Sequence, residues 1–312
     1  MMADRYAVIA AVDGSSNSRA AVRWAATEAA RRRATLFVVH VCEITNAGLW
    51  TTPRVQSECR ELARPIVAEA VELAGETVPG LPVDGEVLLG QATRTLLAIS
   101  KRCELMVLGR SGKGALAAHL VGSATARLAA HAHCPIVVVP TPPASGVSPG
   151  GQVVVGVADR PNRGLTLDFA IDEALVRCSP LVAVRAWHGP SGLPLHPDVP
   201  LRHPADQEHQ EQDQLAQLLA AHLADRSAPV PSTPVVRAGQ PAGVLSGLCR
   251  PADLLVLGQH RHAEFLPATV GRVISDCLHQ APCPVAVVPE PVLEERVQEQ
   301  PRVVETAGLI TY

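Results

Sequence analysis

The residues with the clearest chemical potential are the glycines and the serine of one loop, residues 109–123, spaced G-x2-G-x9-G-S. The loop follows the apolar run 105–108 and leads into an alanine-rich stretch of helical character. Glycine lacks a Cβ, so its backbone can approach an anion closely, and a helix N-terminus offers unpaired N–H donors with a partial positive charge. Gly109, Gly112, Gly122 and Ser123 therefore predict a phosphate-binding loop.

Three charged residues could complete such a site. Asp13 ends the first apolar run and could accept a hydrogen bond from an adenine amine or a ribose hydroxyl. It could equally form an Asx-turn or cap the helix near Asn17. Arg110 and Lys113 could screen a triphosphate, although exposed loop cations are usually only solvated.

The elements that would position these residues follow an alternating pattern. Strand-like runs alternate with helical stretches, which is typical of an α/β fold with a parallel sheet covered on both faces. In the first helical stretch, Trp24 and Glu28 share one helix face. In the second, an apolar stripe is formed by Leu62, Ile66, Ala70 and Leu73, and Pro65 implies that this helix starts late or is kinked. The predicted strands of the first unit are residues 6–12, 35–41, 83–88, 104–108 and 136–139.

The chain contains this unit twice. Residues 105–109 match 254–258 and residues 134–140 match 283–289, both at an offset of 149. The first halves align at an offset of 145, which pairs Glu28 with Glu173. The predicted domains are residues 1–143 and 152–290, joined by a linker at 144–151 and followed by a flexible tail at 291–312. The proline-rich segment 189–204 is expected to be a mobile loop.

The loop, the strand pattern and the repeat resemble the universal stress protein family, whose ATP-binding members carry G-x2-G-x9-G-[ST] at this place. The resemblance implies two tandem doubly wound, parallel five-stranded sheets of the adenine nucleotide alpha hydrolase-like fold, with strand order 3-2-1-4-5. It also implies an acid at Asp13, a backbone contact of Val41 with adenine, and ribose and phosphates surrounded by loop residues. These loop residues are Gly109, Gly112, Gly122, Ser123, Ala124 and Thr125.

The second unit departs from this pattern. Arg261 replaces the second glycine, Arg272 replaces Ser123, and Ala158 stands where Asp13 does, with Asp159 one position later. A side chain at 261 would crowd the phosphate, although the two arginines could instead pair with an anion. The sequence favours a degenerate second site with a regulatory or structural role.

Composition excludes several classes of function. The net charge of −3 gives no general attraction to nucleic acid, and no apolar run is long enough to span a membrane. The eight scattered cysteines predict buried free thiols, and the histidines near 131 and 260 lack a second cluster for a metal site. The start of the sequence lacks a signal peptide, which predicts a cytoplasmic protein.

Together these features predict an ATP-binding universal stress protein, a nucleotide-responsive regulator of the stress response. Mg²⁺ beside ATP, an unidentified protein partner and a homodimer are left open. Two alternatives are a scaffold of the same fold that binds no nucleotide, and a slow ATPase or phosphotransferase for which the sequence shows no catalytic base. The last strand of each unit is expected to pair with the other inside one chain.

Overall fold

The computed structural model describes residues 6–43, 52–110, 121–140, 151–158, 164–187, 204–224, 226, 228–249, 252–259 and 271–290. Gly112, Lys113, Asp159 and Arg261 lie outside the described residues. The predicted tail, residues 144–150 of the predicted linker and residues 189–203 of the predicted loop also lie outside them.

The predicted α/β alternation is confirmed in both units. The first unit consists of β1 Tyr6–Ala11, α1 Ser16–Arg31, β2 Leu36–Cys42, α2 Pro53–Thr77, β3 Val83–Leu89, α3 Ala92–Ile99, β4 Cys103–Gly109, α4 Ser123–His131 and β5 Ile136–Val139. The second unit consists of β6 Gln152–Gly156, α5 Leu165–Arg177, β7 Leu181–Trp187, α6 Pro204–Leu223, β8 Ser232–Ala238, α7 Pro241–Leu248, β9 Ala252–Gln259, α8 Arg272–Gln280 and β10 Val285–Pro289.

All ten strands belong to one sheet, with the order β3-β2-β1-β4-β5-β10-β9-β6-β7-β8. Each half has the expected order 3-2-1-4-5 and is parallel throughout. The two halves join where β5 and β10 run antiparallel, with Val138 opposite Val285. The predicted pairing of the two last strands is therefore confirmed, and it turns two five-stranded sheets into a continuous one.

Helices cover both faces of this sheet. The α1, α2, α5 and α6 helices pack on one face, and α3, α4, α7 and α8 pack on the other. Side chains alternate between the two cores along each strand, as β1 illustrates: Val8 and Ala10 face α1, whereas Ile9 and Ala11 face the opposite layer. The strands are therefore apolar on both sides, which is why they read as continuous hydrophobic runs.

The α2 helix differs from the expectation in two respects. It begins at Pro53 and continues through Pro65, so the proline does not delay its start. Leu62 is 79% exposed and is not part of the apolar stripe. Ala70 and Leu73 are buried as predicted, and Ile66 packs partly against the core. In the first half of the helix, the buried position is Ala63 and not Leu62.

A cluster of four charged side chains joins the two units where α1 meets α5. Arg32 pairs with Glu28 on its own helix at 2.7 Å and with Glu173 across the interface. Arg177 pairs with Glu173 at 3.0 Å and with Glu28 at 2.5 Å, and its guanidinium lies 5.1 Å from the Trp24 ring centre. Because both pairs are related by the 145-residue offset, the cluster follows the internal twofold relation of the chain.

This interdomain tetrad, Glu28, Arg32, Glu173 and Arg177, is largely withdrawn from solvent. The carboxylates of Glu28 and Glu173 are 0% and 1% exposed, and the Arg177 side chain is 2% exposed. Burial and the neighbouring Glu28 charge raise the pKa of Glu173, and the two arginines oppose that shift. The two arginines therefore offset part of the cost of burying the Glu173 carboxylate in the interface.

Candidate functional site

A cavity of about 390 Å³ opens at the carboxyl ends of β1 and β4. It lies where the strand order reverses, because β2 follows on one side of β1 and β4 lies on the other. Seven of the ten predicted site residues line it, so the fold brings these distant positions together. They are Asp13, Val41, Gly109, Gly122, Ser123, Ala124 and Thr125.

The base of the loop is closed by hydrogen bonds between its two ends. The Gly122 amide donates to the Arg110 carbonyl at 3.0 Å, and the Thr125 hydroxyl donates to the Gly109 carbonyl at 3.3 Å. A Cβ at Gly109 would lie 2.8 Å from the Asn17 backbone, so the contact with α1 by itself requires glycine there. Gly122 has φ −63° and ψ 147°, which any residue can adopt.

The α4 helix begins at Ser123, directly beside the cavity. Its N-cap is Gly122, which provides no side-chain cap. The first amides of a helix have no acceptor within it, so the amides of residues 123–125 are available to an anion in the cavity. Ser123 is exposed and can add a hydroxyl donor.

Asp13 forms the Asx-turn that the sequence left open. Its Oδ1 accepts from the Ser15 amide at 2.9 Å, while Ser15 itself caps α1 by accepting from Ser18 at 3.2 Å. The helix cap is therefore Ser15 and not Asp13. Because Asp13 also lines the cavity, the turn orients a carboxylate there and does not compete with a role in binding.

The end of β2 supplies the opposite wall of the cavity. Val41 lies there as expected, together with His40, which the sequence reasoning missed. The His40 Nδ1 is 2.8 Å from the Val12 carbonyl, and a carbonyl only accepts, so Nδ1 donates this bond. The other lining residues that were not predicted include Ser18, Ala92, Leu96, Val121 and Leu128.

Arg110 is placed away from the cavity. Its guanidinium donates to the carbonyls of His279, at 3.2 Å, and Ala281, at the C-terminal end of α8 in the second unit. Burial lowers the pKa of this arginine. Arg110 was expected to be a cation of the loop, but it caps the carbonyl groups at the end of a helix of the other domain.

The second unit differs from the first at the corresponding edge. Arg272 begins α8 at the position of Ser123, is 93% exposed and approaches Asp276 no closer than 3.8 Å. The Glu290 carboxylate is buried at the N-terminus of α5, where it accepts from the Thr166 hydroxyl at 2.5 Å and the Thr166 amide at 3.3 Å. It lies next to Gly258, the counterpart of Gly109.

Within the described ranges, no three His, Cys, Asp or Glu side chains are grouped to hold a metal ion. The eight cysteines are free, and four of them are buried, but Cys178 is exposed, unlike the prediction. Burial raises the pKa of Cys277 to about 12, so this thiol stays protonated at neutral pH.

No helix in the described part of the chain has the length and apolar character to cross a membrane.

Comparison with known proteins gives a consistent result. The profile of the universal stress protein family matches residues 6–140 and 151–289. One universal stress protein of Mycobacterium tuberculosis is 36% identical over 295 residues, covering 91% of this chain and 97% of the relative. A second from the same species is 34% identical over 304 residues, covering 91% and 95%.

A solved structure supports the fold. The crystal structure of a universal stress protein from Archaeoglobus fulgidus superposes with a TM-score of 0.67 at 14% identity, covering 91% of this chain and 98% of that one. Its arrangement therefore extends over both units. The present chain belongs to the universal stress protein family and carries two copies of the family domain in tandem.

Proposed function

We propose that the first domain binds ATP and that the protein is a nucleotide-responsive regulator of a stress response. One observation carries the proposal: a single cavity joins Asp13 and Val41 to the glycine-rich loop and the start of α4. Its volume of about 390 Å³ is in the range of small-molecule sites, about 300–1,000 Å³.

The cavity offers different environments to the parts of the nucleotide. Val41, Leu96 and Leu128 provide apolar surface against which a purine can pack. The Asp13 carboxylate is fixed by its Asx-turn and would accept from a ribose hydroxyl or the adenine amine. This arrangement supports an adenosine moiety between β2 and the end of β1.

The phosphates would lie at the start of α4. Among the described lining residues there is no lysine or arginine, so the amides of residues 123–125 and the Ser123 hydroxyl are the donors on this side. Lys113 and a divalent cation such as Mg²⁺ would supply the positive charge that a triphosphate needs. Bound ATP would place its triphosphate against the glycine-rich loop, so the loop would be the part of the protein that responds to nucleotide binding.

The second domain is expected to bind no nucleotide, so the proposed stoichiometry is one ATP per chain. Arg272 occupies the position of Ser123, and the Glu290 carboxylate lies beside the glycine that corresponds to Gly109. A buried negative charge at this place would repel a phosphate group. Ala158 also lacks the carboxylate that Asp13 provides.

Substitution of Gly122 by valine tests this proposal. Its backbone angles suit valine, so the variant should fold, yet the side chain would enter the space where phosphate approaches the helix. Isothermal titration should show that Gly122→Val lowers ATP affinity by at least about tenfold, about 1.4 kcal/mol.

Gly271 provides the matched control. It caps α8 as Gly122 caps α4, with φ −52°, and a Cβ there meets nothing within 4 Å. Gly271→Val should therefore have the same effect on helix capping. It should leave ATP affinity close to wild type, because α8 contacts the first domain at its other end, through His279 and Ala281. Equal ATP affinity in the wild type and Gly122→Val would refute the assignment, and absence of ATP binding by the wild type would favour the scaffold alternative.

A further inference from the structure

Both ends of the glycine-rich loop in the first domain are attached to the last turn of α8 in the second. At one end, Arg110 donates to the carbonyls of His279 and Ala281. At the other end, the Val121 amide donates to His279 Nε2 at 3.3 Å. One histidine of the second domain thus contacts both residues that frame the loop.

The orientation of the His279 ring is fixed by its own helix. Its Nδ1 lies 2.7 Å from the Ser275 carbonyl, four residues earlier in α8. A carbonyl can only accept, so Nδ1 carries the proton and Nε2 is left as an acceptor for Val121. Any shift or rotation of α8 would move this acceptor away from the loop.

Among the described residues, the opposite side of the same interface is built differently. Gln259, the counterpart of Arg110, donates to the Ala130 carbonyl, which corresponds to the His279 carbonyl. The residue at 130 is alanine and has no side-chain acceptor, so Ala130 offers no counterpart of the hydrogen bond between the His279 ring and Val121. The first domain, whose loop ends contact α8, is also the domain that carries the intact candidate site.

We propose that α8 of the second domain positions the nucleotide loop of the first domain through His279 and Arg110, and thereby sets its affinity for nucleotide. The inference rests on the proposed function, because it concerns the same loop. By linkage, a partner that displaces α8 would lower ATP affinity, and ATP would in turn favour the docked position of α8. The degenerate domain would act as a regulatory element for the intact one.

Two substitutions of similar size separate positioning from packing. His279→Leu removes the acceptor for Val121, whereas His279→Gln retains an acceptor on a side chain that also favours helix. Gln259→Leu removes the corresponding contact on the other side of the interface and serves as the control. If His279→Leu and His279→Gln unfold at the same temperature, a general loss of stability is excluded as the cause of a difference in their ATP affinity.

Two measurements on the full chain decide the matter. Titration with ATP should show an affinity about threefold to tenfold weaker in His279→Leu, close to wild type in His279→Gln, and unchanged in Gln259→Leu. Hydrogen exchange without ATP should show faster exchange of the Val121 amide in His279→Leu than in the other two variants.

The outcomes distinguish this inference from the proposed function. If the wild type binds ATP and His279→Leu binds it equally well, α8 does not set the affinity and the inference is overturned. If the wild type binds no ATP, the proposed function fails, and the exchange result alone decides whether α8 holds the loop. Unchanged exchange at Val121 in His279→Leu would overturn that attachment as well.

Discussion

The interdomain tetrad predicts that Arg177→Met destabilises the protein more than its position far from the cavity suggests. The substitution keeps most of the aliphatic volume but removes the cation between Glu28 and Glu173. Both carboxylates are almost fully withdrawn from solvent and would lose a partner at 2.5 Å and 3.0 Å, respectively. The cation–π contact with Trp24 would be lost at the same time.

The magnitude follows from this burial. Removing one partner of a buried ion pair typically costs about 3–5 kcal/mol, since it leaves an uncompensated charge. Arg32 is 22% exposed and still contacts both glutamates, so we expect the lower end, about 3 kcal/mol. At about 2–4 °C per kcal/mol for domains of this size, the melting temperature should fall by about 6–12 °C.

Thermal and urea unfolding of the intact chain provide the assay. The control is Arg19→Met, because Arg19 pairs with Glu69 at 2.8 Å but both side chains are more than half exposed. Such a surface pair contributes at most about 1 kcal/mol. Equal stability of Arg177→Met and Arg19→Met would show that the tetrad does not hold the two domains together.

Three further predictions concern the site, the central strand pair and the pH dependence of stability. Asp13→Asn retains an acceptor for the Ser15 amide but loses the carboxylate, so titration should show ATP affinity about tenfold weaker with little change in melting temperature. Val138→Thr places a hydroxyl where β5 meets β10, and urea unfolding should show a loss of about 1–3 kcal/mol. The raised pKa of Glu173 means that the folded state retains a proton that the unfolded state has lost, so stability should fall as pH rises above the ordinary value of 4.5 and through the raised pKa. Glu173→Gln should remove that dependence in urea titrations between pH 4 and 8, and an identical pH profile in both proteins would refute the assignment.

Much of the fold could be predicted from the sequence because buried parallel strands are apolar on both faces. The runs around residues 8–11 and 105–108 required no tertiary information, and the repeat at offsets of 145 and 149 gave the second half. The resemblance supplied the strand order. With that order, Asp13 and Gly109 could be placed together, since the carboxyl ends of β1 and β4 must meet at one edge. Val41, Ala124 and Thr125 were placed by the resemblance.

The contacts between the domains were not predictable in the same way. Arg110 was interpreted as a loop cation because the sequence does not show which helix end lies opposite it. The equivalence of Glu28 and Glu173 was visible in the repeat, and each has an arginine four residues later. A charged pair at the same place on two equivalent helices was thus a signal for the tetrad, but its four-way pairing depends on how β5 meets β10.

The central claim is that one of the two domains binds ATP, and counting bound nucleotide tests it most directly. Equilibrium dialysis of the intact chain against ATP and Mg²⁺, followed by acid extraction and quantification of adenine nucleotide, should give one nucleotide per chain at saturation. Two equivalent nucleotides per chain would show that Arg272 and Glu290 do not disable the second domain. No bound nucleotide at millimolar ATP would contradict the account of the cavity itself.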